Sequence, residues 1–123
     1  MSAISKLLEA KMLLEQLLNK EINSLNLNQD SRKLHLILTD GIEIYIIYNN
    51  HDQYGYTILF SNLDLDRCRF DNYDDKWDVD SRPHHFHPRK KIEVESSKMT
   101  GEPKNDIQYL YKLLKSGRLH KTD

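Results

Sequence analysis

A chain of 123 residues with 38% apolar and 30% charged side chains has material for one modest core, and its apolar residues recur in blocks unlike those of a disordered protein. A net charge of −1 excludes a global basic field, so a nucleic-acid partner would have to be met by a local patch. The single cysteine, Cys68, excludes an intrachain disulfide, and no apolar run approaches the ~20 residues that cross a bilayer.

Residues 2–19 carry apolar side chains at helical spacing with neither Gly nor Pro between them. Ile4, Leu7, Leu8, Leu14, Leu18 and Ile22 share one broad face, while Leu13 and Leu17 fall nearly opposite and form a stripe suited to a homodimer contact. Lys6, Glu9 and Lys11 among these leucines do not suit a signal peptide, so the expectation is a cytoplasmic protein without a membrane partner. Strand patterns follow at 33–39, 42–48, 54–60 and 65–71, with Asp40-Gly41 as a hairpin turn between the first two. On the strand at 65–71, Cys68 and Phe70 share the core face, and Arg67, Arg69 and Asp71 share the other. Residues 72–83 read as a long loop. A fifth strand is expected at 89–95 with Ile92 and Val94 inward, and a last helix at 105–116 with Asn105 and Gln108 as a capping box and Gly117 as its stop. The predicted architecture is one α+β domain, residues 1–123: a five-stranded antiparallel meander sheet flanked by an N-terminal and a C-terminal helix.

Pro83-His84-His85-Phe86-His87-Pro88 concentrates half of the six histidines into four positions. In an extended segment His85 and His87 point one way and His84 the other, and the same parity brings Arg89 and Lys91 beside the first pair. Imidazole exchanges protons near neutral pH, which few unperturbed side chains do. Arg69-Phe70-Asp71-Asn72 supplies a guanidinium suited to phosphate and a carboxylate suited to holding an imidazole in one tautomer. Trp77, in a polar loop, is a candidate for stacking on a base. Cys68 reads as an inert core residue. Four scattered glycines make no phosphate-cradling loop, and the aspartates near 74–80 do not match a calcium loop.

The order Tyr54-x-Tyr56, Arg69-Phe70-Asp71-Asn72, then Pro83-His84-His85-x-His87, resembles the TumE-type toxins of bacterial and archaeal toxin–antitoxin pairs. The resemblance covers roughly residues 54–116; the Asp-rich insert at 74–80 departs from it. It implies a ribonuclease-like toxin acting on RNA and neutralised by a small helix-turn-helix antitoxin. In that reading His85 and His87 divide the acid and base roles, Arg69 stabilises the phosphate and Asp71 orients an imidazole, with Arg89, Lys91, His84 and Trp77 binding substrate and no cofactor or metal required. Seven aspartates at 64–80 would repel RNA unless they fold away or pair with Arg82 and Arg89. Two rival readings use the same residues differently. In one, Asp71, His85 and His87, with His51 or a loop aspartate, hold a metal for an enzyme or a sensor. In the other, the chain is a non-catalytic inhibitor that presents its acidic loop and first helix to a larger complex.

Overall fold

The Ser2 hydroxyl accepts the backbone N–H of Ser5 (3.1 Å) and starts α1, Ala3–Leu17. The computed structural model describes residues 1–121 and places this helix, with α2 (Pro103–Ser116), on one face of an antiparallel sheet. The strands lie side by side in chain order: β1 (Ile22–Asn28), β2 (Lys33–Leu38), β3 (Glu43–Tyr48), β4 (Tyr54–Leu59), β5 (Arg67–Asp71), β6 (His85–His87) and β7 (Glu95–Ser96). The α+β class and both flanking helices are as predicted. The sheet has seven strands, not five.

The extra strands have separate causes. In β1, Leu25 and Leu27 alternate with asparagines, which are poor strand formers, and a register irregularity between Ile22 and Ser24 interrupts the pattern. At the other edge, the expected strand 89–95 is absent. Pro88 lacks an N–H, Lys90 adopts φ 61°, and Ile92 stands 78% exposed. Pairing instead falls on His85–His87 against β5 and on Glu95–Ser96 against β6.

The core lies between the sheet and the helices. Leu34, Leu36, Ile44, Ile46, Tyr56, Ile58 and Cys68 meet Leu7, Ala10 and Leu14 of α1 and Ile107 and Leu110 of α2. Burial pushes the Cys68 thiol up to about 12, so it is an inert core group. Gly117 closes α2 with φ 74°, in the place the sequence predicts. The Asn105/Gln108 box does not form. Pro103 starts the helix after Glu102, and the buried Asp106 carboxylate organises that end, accepting the N–H groups of Thr100 (2.9 Å) and Gly101 (2.7 Å) and the Tyr56 hydroxyl (2.7 Å).

The face of α1 that the leucine spacing suggests is the one that packs, with Leu7, Leu14 and Leu18 buried and Ile4 and Ile22 against the core. Leu8 and Met12 are each 50% exposed, whereas Leu13 and Leu17 pack against the margin of the chain's own core. The stripe expected to meet a second copy is thus partly used within the monomer. Among the described residues no helix is long and apolar enough to cross a membrane.

Candidate active site

Period-two alternation turns Cys68 and Phe70 of β5 into the core and leaves Arg69 and Asp71 on the face away from the helices. β6 pairs beside them in a register that sets Arg69 opposite His87 and Asp71 opposite His85. Phe70 and Phe86 stack beneath, with ring centroids 4.4 Å apart, and tie the two strands together from the core side. The same parity turns His84 the other way, where its Nδ1 lies 3.0 Å from the Tyr54 hydroxyl.

Asp71 is the hub. Its side chain is 6% exposed; Arg69 Nε donates to one oxygen (2.7 Å), and the other takes the backbone N–H of Tyr73 (3.0 Å) and lies 2.9 Å from His85 Nε2. The Nδ1 of His85 faces the Pro83 carbonyl at 2.9 Å, and a carbonyl only accepts, so that nitrogen carries a hydrogen. The Asp71 carboxyl, 2.9 Å from Nε2, fixes the ring from its other side. His85 is 2% exposed and has both nitrogens engaged. It is a fixed part of the site's wall.

His87 differs. It is 26% exposed, and its Nε2 lies 3.7 Å from Asp71, beyond hydrogen-bond range. Burial lowers its pKa, against the pull of the Asp71 carboxylate and with help from the neighbouring His85 and Arg69 charges. The ring is accordingly neutral at neutral pH and able to take a proton. Trp77 covers this pair, its ring 5.8 Å from His85 and 5.6 Å from His87.

Comparison of the chain with protein-family models, curated proteins and solved structures gives no match.

Three groups that the sequence does not single out complete it. Thr57 Oγ1 accepts from Arg69 Nη1 at 2.6 Å, Tyr73 lies with its ring 5.9 Å from the guanidinium, and Gly55 leaves the space the guanidinium fills. A Cβ at Gly55 would stand 2.9 Å from Arg69 Cζ. Strand parity carries the signal for two of them. Gly55 pairs with Asp71 and Thr57 with Arg69, so both share the polar face.

Three residues expected to bind substrate sit elsewhere: His84, turned to the opposite face against Tyr54, and Arg89 and Lys91. Arg89 Nε donates to Asp66 (2.5 Å), its Nη1 donates to the His120 carbonyl (2.6 Å), and its guanidinium covers Phe60. The turn after Pro88 carries Lys91 into a shallow recess with Ile92 and Glu95. Arg82 pairs with Asp75 at 3.2 Å, so two of the seven aspartates, Asp66 and Asp75, are offset by Arg89 and Arg82.

Proposed function

We propose that the chain is a toxin-type ribonuclease that cleaves RNA in the cytoplasm by acid–base catalysis without a metal and is restrained by a partner antitoxin. One observation carries the catalytic part: a part-exposed, neutral imidazole, His87, stands next to a guanidinium that Asp71 and Thr57 hold in place. The toxin part leans on the likeness to the TumE-type pattern, whose two strings are the ones that meet in the site. In the reaction, His87 takes the proton of the 2′-hydroxyl, the 2′-oxygen bonds to phosphorus, and the bond from phosphorus to the 5′-oxygen breaks. The proton returns from His87, directly or through one water, to the departing oxygen. Nothing is oxidised or reduced, and the ends are a 2′,3′-cyclic phosphate and a 5′-hydroxyl. Arg69 keeps N–H donors beyond those that Asp71 and Thr57 use, and these face the charge that builds on the phosphate. His85 acts through Asp71, so the two roles expected of a histidine pair fall to His87.

The direct test is RNA cleavage by the purified chain in excess chelator, which is expected to proceed undiminished. The pH dependence is also determined. His87 must be neutral to take a proton, and its pKa is lowered from the ordinary 6.5, so kcat/KM is expected to fall on acidification with a limb below 6.5. An acid limb above that value would mean that another group is the base. Gly55→Ala is expected to leave the fold intact by circular dichroism, because the obstructed atoms are the end of a long side chain. It should lower cleavage on the order of 10²-fold by displacing Arg69.

A second reading rests on a specific observation. The donor atoms of Asp71, His85 and His87 all lie within 4.8 Å of one another, and two imidazoles with one carboxylate suit iron or zinc. The Nδ1–H bond from His85 to Pro83 is also the kind that orients a ligand. Against it, a metal would compete with the Arg69 guanidinium for the same carboxylate. A stoichiometric transition metal in protein purified without an affinity tag would favour the metal reading, and metal-free protein with full activity would exclude it.

A further inference from the structure

Both helices cover one face of the sheet, and the opposite face carries a continuous row of side chains leading away from the site. Cross-strand register joins His87 to Arg69, Arg69 to Thr57, Thr57 to Tyr45, Tyr45 to His35 and His35 to Asn26. Tyr45 and His35 form a parallel stack in that row, with ring centroids 4.2 Å apart and an interplanar angle of 1°. Glu43 holds the His35 ring by a 2.9 Å contact to Nε2, and the Lys33 ammonium lies 5.4 Å from the Tyr45 ring.

We propose that this face is a track for single-stranded RNA, with a base stacked at Tyr45–His35 and phosphates met by Lys33 and Arg67 on the way to His87. The inference rests on the ribonuclease reading and names its substrate class and binding residues. Three strand spacings separate Tyr45 from His87, about 14 Å, which is a span of only a few nucleotides. Each carboxylate that the strands present on this face has a partner: Glu43 has His35, and Asp71 has Arg69 and His85. The strand cations Lys33 and Arg67 are exposed on either side of the row, opposite Ile47 and Leu59, so the charge these strands offer to solvent is positive. The Asp-rich segment 74–80 flanks the imidazoles through Trp77, and its repulsion directs the RNA across β4 and β3. Unpaired bases can stack on a flat aromatic platform, whereas an A-form duplex keeps its bases inside. The aromatic stack with exposed cations on either side therefore suits a single strand, whose bases are free to stack, over a duplex.

The test measures binding of a labelled short oligoadenylate to the His87→Ala chain by anisotropy, with a duplex of similar length alongside. Tyr45→Ala is expected to weaken single-strand binding by roughly tenfold or more, and Tyr45→Phe to restore it. Lys33→Gln and Arg67→Gln, on exposed side chains that the fold does not need, should each reduce the slope of log affinity against log salt by about one. Unchanged single-strand affinity and salt slope in all of these variants would overturn the track, as would equal binding of the duplex. The two proposals fail separately. Track-dependent binding by a wild-type chain that does not cleave would sink the ribonuclease reading alone. Cleavage with a KM indifferent to Tyr45, Lys33 and Arg67 would sink the track alone.

Discussion

His87→Ala is expected to fold like the parent chain and to lose cleavage by roughly 10²–10⁴-fold, the range over which a positioned acid or base contributes. The structural cost is small because the ring is part-exposed and makes no hydrogen bond to Asp71 at 3.7 Å. The catalytic cost is large because no other imidazole in the cluster is available. His85 has one nitrogen on the Pro83 carbonyl and the other on the Asp71 carboxyl, and His84 lies across the sheet against Tyr54. Urea unfolding and single-turnover cleavage on the same preparation measure the two effects together. A variant that unfolds early and cleaves normally when folded would reverse the assignment.

Asp71→Asn has the second-largest expected effect, and it should appear in both measurements. The amide keeps the shape of the carboxyl but loses its charge, while Arg69, His85 and the Tyr73 N–H all still converge on it. One of its two arms is now a donor facing donors. Stability is expected to fall by about 2 kcal/mol, the scale for a buried polar group left without its partner. Cleavage should fall on the order of 10²-fold, because Arg69 and His85 both lose the anchor that aims them. Parental cleavage by the Asn variant would leave the Asp71 contacts a structural ion pair and nothing more.

The residues these two variants replace are visible in the sequence, whereas other parts of the site depend on contacts distant in the chain. Alternation alone separates Arg69 and Asp71 from Cys68 and Phe70, and it separates His84 from His85 and His87, because successive strand residues must face opposite ways. The turn at Asp40-Gly41 is legible for a similarly local reason, since Gly41 takes φ 92°. Its loop has three residues, 39–41, and not two, closed by the Leu38 N–H on the Ile42 carbonyl (2.8 Å). Strand parity does not place Arg89, because its position depends on Asp66 and the His120 carbonyl, partners 23 and 31 residues away that no local pattern reveals. β6 is not legible as a strand, because three residues carry too little periodicity. Its identity comes from pairing with β5. Gly55 and Thr57 are implied by the β4–β5 register, which sets them beside Asp71 and Arg69. The burial of His85, which separates a positioning group from a reacting one, depends on Trp77 and the loop before β6 folding over it.

The central claim is that the 2′-hydroxyl of the substrate is the nucleophile and His87 its base. End-group analysis of RNA cut by the chelator-treated chain tests it most directly, with a matched strand bearing a single 2′-deoxynucleotide at the cut position as the comparison. The account predicts 2′,3′-cyclic phosphate and 5′-hydroxyl ends on the RNA and no cut at the deoxy position. Cleavage of the deoxy strand at the same rate, or 5′-phosphate ends, would contradict it.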